Sequence, residues 1–184
     1  MQKYLIFMLA CFACSAVAQA QLVAANDPFV ERSILLGLHR GGRDQWPENT
    51  VIAFQEAVKR WPNALLELDV HATADGQVVV IHDDTVDRTT DGTGGVWNMT
   101  LAEVRALDAA YHFSTDGGKT FPWRDKGVTI PTLKEVLEVS STHRFLIEMK
   151  DGLRIAAATV AAIQEAGAED RCMLAAVPPQ FIEE

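Results

Sequence analysis

The chain has 184 residues, 48% of them apolar and 22% charged, with 16 Lys and Arg against 25 Asp and Glu for a formal charge of -9. An apolar fraction near one half supports a globular core and excludes a disordered chain, a coiled coil or a collagen. The deficit of basic residues argues against a protein that wraps nucleic acid, whose phosphates demand a cationic surface.

Lys3 precedes an apolar run over 4–17, and Ala18-Gln19-Ala20 then fits the small-x-small pattern of a signal-peptidase site. Residues 1–20 therefore read as a signal peptide, with export to the periplasm or the exterior. The run is shorter than the roughly 20 apolar residues that span a bilayer, so no transmembrane segment is expected after cleavage. Cys11 loosely suggests a lipoprotein site, but Ala16, Ala18 and Ala20 are better placed small residues. Removing 1–20 takes away Cys11 and Cys14 and leaves Cys172 alone, so no intrachain disulfide is expected to staple the exported fold.

Residues 34–38 form a nearly continuous apolar run that ends at His39-Arg40-Gly41-Gly42, the pattern of a strand covered on both faces. Pro47-Glu48-Asn49 offers a helix start with Asn49 as N-cap, and Val51, Phe54, Ala57, Val58 and Trp61 follow at helical spacing. Over 65–71, Leu66, Leu68 and Val70 alternate with Glu67, Asp69 and His71, the period of a strand. A further strand is expected over 77–82 after an Asp75-Gly76 turn, and a Gly-rich surface loop over 83–95. Thr100 with Glu103 and Thr132 with Glu135 carry the reciprocal capping signature of two helix starts. Between them 114–127 shows no period and reads as a long excursion. A strand over 145–150, a helix over 153–166 ended by Gly167 and a strand over 172–177 complete an alternation that implies βαβ units and a mainly parallel sheet.

Alternate residues of a strand share a face, so Glu67 and Asp69 aim at one point, as do Glu148 and Lys150. His39 and Arg40 end the first strand, His82 the third and Glu148 and Lys150 the fourth, and the ends of parallel strands meet on one rim. Carboxylates converging there repel by about 4 kcal/mol per pair at 4 Å and an effective dielectric of 20. A divalent cation removes that cost, and an all-oxygen set of Glu67, Asp69 and Glu148 selects a hard ion, Mg²⁺ or Ca²⁺. His39 and His82 are left for proton transfer. Zinc is disfavoured because no Cys/His ligand cluster exists, and His71, His112 and His143 lack companion ligands at useful spacing. Asn98-Met99-Thr100 and the glycines at 92, 94 and 95 are likewise assigned no chemistry.

Taken in order, His39-Arg40-Gly41, Pro47-Glu48-Asn49-Thr50, Glu67-Leu68-Asp69-Val70, Asp75-Gly76, His82-Asp83, Arg88-Thr89-Thr90, Ile130-Pro131-Thr132-Leu133 and Glu148-Met149-Lys150 resemble the motifs of the glycerophosphodiester phosphodiesterases. The resemblance runs from about Gly37 to Lys150. It implies a (β/α)₈ TIM barrel with an insertion over about 83–129 and an active site at the C-terminal rim of the strands. It also implies that Glu67, Asp69 and Glu148 hold the metal, that His39 and His82 are the general acid and base in an undetermined order, that Arg40 and Lys150 contact phosphate, and that Glu48 orients these groups. The implied reaction is hydrolysis of a small-molecule glycerophosphodiester to glycerol 3-phosphate and an alcohol.

A barrel of this kind takes about 250 residues, whereas the strands found here number about half of eight. The expectation is therefore the N-terminal half of a barrel over 21–184, with low activity as an isolated chain. Two alternatives stay open: a relative acting on lysophospholipids (lysophospholipase D) or sphingomyelin (sphingomyelinase D), and a non-catalytic chain that binds metal or a partner.

Overall fold

Alternation of Leu66, Leu68 and Val70 with Glu67, Asp69 and His71 builds the central strand, β2 (Leu65–Ala72), of the computed structural model, which describes residues 36–176. The segment read as a signal peptide, 1–20, lies outside the described residues. Strands β1 (Gly37–Leu38) and β4 (Arg144–Met149) flank β2, both parallel to it, and β5 (Cys172–Ala176) continues the sheet in parallel beyond β4. Helix α1 (Val51–Arg60) connects β1 to β2, α3 (Leu133–Leu137) leads into β4, and α4 (Ala156–Glu165) connects β4 to β5. Each parallel strand thus lies beside the next, the winding by which a β/α barrel builds its wall. Among the described residues no helix is long and apolar enough to cross a membrane.

One face of this wall is apolar. Leu66, Leu68 and Val70 of β2 and Phe145, Ile147 and Met149 of β4 pack with Phe54 and Ala57 of α1, Leu133, Val136 and Leu137 of α3 and Ile163 of α4. The opposite face of the same two strands carries Glu67, Asp69 and Glu148, because side chains alternate along a strand. The capping boxes expected at Thr100 and Thr132 are both formed, at the starts of α2 (Leu101–Arg105) and α3, although each helix is only five residues long. The helix expected over 153–166 opens with a 3₁₀ turn, Gly152–Ile155, before α4 begins. Cys172 on β5 is a free thiol, which burial pushes up to about 12.

Two expectations require correction. The strand expected over 77–82 is β3 (Val78–Val80), and it runs antiparallel to β2 rather than with the parallel set. Val70 pairs with Met149 on one side and Val80 on the other, so β3 occupies the side of β2 that β1 leaves unpaired after Leu38. His82 consequently reaches the rim by returning along a hairpin, with the Ile81 amide donating to the Asp69 carbonyl at 3.0 Å. The second correction concerns Asn49, which is not the N-cap of α1. Thr50 fills that position, its hydroxyl oxygen accepting from the Ala53 amide at 3.3 Å, while Asn49 adopts a left-handed backbone with φ 57.

Residues between β3 and α3 gather around a second apolar cluster, in which Val86, Val96, Val104, Ala110 and Val128 cover Val79 and Ile81. The irregular stretch expected at 114–127 contains no helix or strand. Arg124 anchors it, its guanidinium stacked 4.0 Å from the Tyr111 ring and 3.9 Å from the Phe121 ring.

Phe145 is fully buried where β4 meets the helices. Phe145→Ala is expected to cost about 3–5 kcal/mol in urea unfolding, with the slope unchanged; a loss below about 1 kcal/mol would contradict this packing.

Candidate active site

Asp69 and Glu148 stand directly opposite each other in the β2–β4 ladder, and Glu67 lies on the same face two residues earlier. Ligand oxygens of all three lie within 4.8 Å of one another. One ion with oxygen bonds of about 2.0–2.6 Å can bridge that spacing. The Lys150 ammonium sits against two of these groups, 3.0 Å from Asp69 Oδ1 and 2.9 Å from Glu148 Oε2. Burial alone would depress its pKa, but the bonds to Glu148 and Asp69 raise it above the ordinary lysine value.

Glu67 resists ionisation. Burial, reinforced by the Asp69 and Glu148 charges, pushes its carboxyl up to about 7 against the pull of the Arg40 amide and guanidinium. Asp69 is almost wholly buried, and its Oδ1 accepts no hydrogen bond of good geometry even with the Lys150 ammonium nearby. A buried carboxylate oxygen that accepts no well-formed hydrogen bond, although an ammonium lies beside it, and a carboxyl that resists ionisation in an all-oxygen group both fit a hard divalent cation.

The backbone at the end of β1 is bent to serve this cluster. Arg40 is a non-glycine residue at φ 52, followed by Gly41 at φ 74 and Gly42 at φ 99. This turn aims the Arg40 amide at Glu67 Oε2 (2.7 Å), while the guanidinium lies 2.9 Å from Glu48 Oε1 and 3.4 Å from Asp69 Oδ2. Gly41 is required twice over, since a Cβ there would approach Ala53 Cβ to 3.1 Å in a backbone conformation that side chains disfavour. The left-handed Asn49 turns its side chain inward, donating Nδ2 to Asp69 Oδ2 at 3.0 Å.

His39 and His82 occupy different settings. His39 is exposed, and partial desolvation with the cationic Arg40 and Arg43 outweighs Asp69 and Glu48 and holds its pKa below the ordinary 6.5. His82 Nδ1 is held 2.6 Å from Asp83 Oδ1, leaving Nε2 as the atom for proton exchange. Asp83 is in turn clamped by Arg88, whose Nε donates to Asp83 Oδ2 at 2.6 Å. Two further N–H groups of Arg88 reach Glu48, at 2.9 and 2.7 Å. Burial opposes ionisation of Asp83, yet the bonds from Arg88 and His82 bring its carboxyl down to about 2. Glu48 is also held below its ordinary value, because Arg88 and Arg40 together outweigh its burial. A continuous chain, Arg40–Glu48–Arg88–Asp83–His82, therefore ties the carboxylate cluster to one imidazole.

The structure thus brings Glu67, Asp69, Glu148, Arg40 and Lys150 into direct contact and places Glu48 one bond outward. Asn49, Asp83 and Arg88 were not assigned to the site from sequence. His71 is a further omission, since it does have companions. Its Nδ1 lies 3.3 Å from Asp151 Oδ1 and its Nε2 3.1 Å from the His82 carbonyl. With an acceptor at each nitrogen the ring is suited to be the doubly protonated imidazolium. Burial works against that charge, but the Asp151 and His82 bonds raise the pKa above 6.5. Asp151 also accepts from the Ala72 amide at 2.9 Å, so the pair fixes the β2 end to the segment carrying His82. His143 instead bonds Ser140 and the Trp61 carbonyl, and His112 packs edge-on against Tyr111.

Because the folded-state pKa of Glu67 is raised from 4.5 to about 7, its favourable contribution is present below pH 4.5 and lost as pH rises through about 7. Glu67→Gln is therefore expected to raise the melting temperature of the metal-free chain relative to wild type at pH 8 and to leave it nearly unchanged at pH 4. Equal effects at both pH values would contradict the assignment.

Comparison with known proteins places the chain in a family. The model of the glycerophosphoryl diester phosphodiesterase family matches residues 39–171. The glycerophosphodiester phosphodiesterase of Caldanaerobacter subterraneus subsp. tengcongensis is 42% identical over 142 residues, which cover 74% of this chain and 55% of that one. Among solved structures, a glycerophosphodiester phosphodiesterase from Agrobacterium tumefaciens superposes with a TM-score of 0.63 at 33% identity, over 79% of this chain and 59% of that one. An Oleispira antarctica phosphodiesterase, solved with the product sn-glycerol-3-phosphate, does so with a TM-score of 0.66 at 31% identity, over 79% and 58%. The chain spans about half the length of the curated relatives it matches. With the family's pattern extending from His39 after β1 to Arg171 before β5, the chain belongs to the glycerophosphoryl diester phosphodiesterase family.

Proposed function

We propose that this chain carries the catalytic groups for metal-dependent hydrolysis of glycerophosphodiesters, giving glycerol 3-phosphate and an alcohol. The observation that carries the reading is the convergence of Glu67, Asp69 and Glu148 within 4.8 Å on the polar face of two parallel strands. These three would hold Mg²⁺ or Ca²⁺, which when bound supplies Lewis-acid neutralisation of charge on the phosphoryl oxygens. Arg40 and Lys150 add cationic contacts to the phosphate, and Glu48 keeps the Arg40 guanidinium oriented through its 2.9 Å bond.

His39 serves as base. Its lowered pKa supports the role, since the ring starts neutral near pH 7 and takes the proton from the attacking oxygen. His82, with Nδ1 fixed by Asp83, serves as acid and delivers a proton from Nε2 to the leaving alkoxide. Export of the chain, on the strength of residues 1–20, belongs to the same proposal.

Hydrolysis of glycerophosphocholine should be lost on chelation of divalent ions and restored by Mg²⁺ or Ca²⁺; chelator-resistant turnover would contradict the metal's role. His39→Ala and His82→Ala are each expected to lower kcat/KM by ~10²–10⁴. The acid limb of the wild-type pH profile should lie below pH 6.5, the ordinary His39 value, because the base must be neutral. Wild-type rates in either alanine variant, or a limb above that pH, would overturn the assignment.

A further inference from the structure

Outside the carboxylate cluster, the turn 43–48 and the strip 109–117 border a half-open cleft of about 440 Å³. Glu48 and Arg88 form the wall it shares with the cluster, since Glu48 bonds Arg40, whose Nε is 3.4 Å from Asp69. A group entering beside Glu48 is therefore one side chain away from where the phosphate is proposed to sit. The volume falls within the roughly 300–1,000 Å³ typical of small-molecule sites.

The chemistry of the lining discriminates among occupants. Arg88 already satisfies two carboxylates, Glu48 and Asp83, and the exposed Arg43 guanidinium lies 3.9 Å from Asp44. Opposite charges are close to balance, which favours neither a second anion nor a quaternary cation. Arg43, Asp44, His112 and Thr115 instead present donors and acceptors in the same cavity. Neutral hydroxyl groups, each both donor and acceptor, match such a mixed lining. Phe113 is its one large apolar side chain, which leaves little apolar surface for an acyl chain.

We propose that this cleft receives the alcohol half of the diester and that the alcohol it selects is a polyol. The proposal rests on the phosphodiesterase reading above and deepens it. Arg43 and Thr115 act as specificity-determining residues, contacting headgroup hydroxyls rather than the reacting phosphate.

The test compares kcat/KM on glycerophosphoinositol, glycerophosphocholine and lysophosphatidylcholine for the wild-type chain, Arg43→Gln and Thr115→Val. In parallel, the metal-loaded chain is titrated with glycerophosphoinositol while backbone amides are followed by NMR. The wild type should prefer glycerophosphoinositol over the choline esters by about tenfold or more, with the ratio falling towards one in both variants, chiefly through KM. Equal kcat/KM for the inositol and choline diesters, or a preference untouched by both substitutions, overturns the polyol cleft and leaves phosphodiester hydrolysis standing. If no substrate turns over, the phosphodiesterase reading fails and the amide shifts decide. Saturable shifts over 112–115 that glycerol 3-phosphate does not produce support a polyol site, and their absence overturns it.

Discussion

Three carboxylates on one face of two adjacent strands repel one another, and much of the local structure answers that repulsion. At 4 Å separation and an effective dielectric of 20, each ionised pair costs about 4 kcal/mol, a sizeable part of a domain's net stability. The chain offsets this with the Arg40 amide at 2.7 Å on Glu67, the Asn49 amide at 3.0 Å on Asp69 and the Lys150 ammonium between Asp69 and Glu148. Those contacts require unusual backbone, with Arg40 and Asn49 both left-handed at φ 52 and φ 57. Strain of this kind persists where surrounding structure enforces it, here the packing of Gly41 on α1 and the Asn49 amide bonded to the Arg40 carbonyl at 3.0 Å. Compensation is nevertheless incomplete, as the Glu67 carboxyl pushed up to about 7 and the poorly aligned Lys150 contact at Asp69 Oδ1 testify.

Much of this was legible from sequence because it depends on period and on local capping. Two-residue alternation put Glu67 and Asp69 on one face, and the Thr-x-x-Glu signatures at 100 and 132 gave both short helices. The direction of β3 was not legible, since an apolar run carries no sign of whether it pairs parallel or antiparallel. The tight 73–77 turn, in which the Thr73 amide donates to the Gln77 carbonyl at 2.9 Å, makes it a hairpin. Asn49 and Thr50 are both good N-caps, and only the demand of Asp69 for a donor explains why the threonine caps and the asparagine turns inward. Contacts distant along the chain were equally hidden: Arg88 meets Glu48 across 40 residues, and His71 meets Asp151 across 80.

Those distant contacts give the site its rigidity. Arg88 joins Glu48 to Asp83, so the turn after β1 and the loop after β3 share one guanidinium, and His82 inherits its orientation from both. His71 and Asp151 hold the same loop from the C-terminal end of β2. Such surrounding bonds keep reacting groups in place without touching the reaction. Every residue proposed to act lies between His39 and Lys150, inside the stretch that the family model matches, so the portion shared with longer relatives includes the whole candidate catalytic set.

The central claim is that Glu67, Asp69 and Glu148 ligate one divalent cation together, and it can be read directly from diffraction. Crystals grown with Mn²⁺, a hard oxygen-seeking ion, would be measured at its absorption edge. The account predicts one dominant anomalous peak in bonding contact with oxygens of all three residues, absent in Asp69→Asn crystals. A peak bound elsewhere, or none beside these carboxylates in the wild type at saturating Mn²⁺, would contradict it.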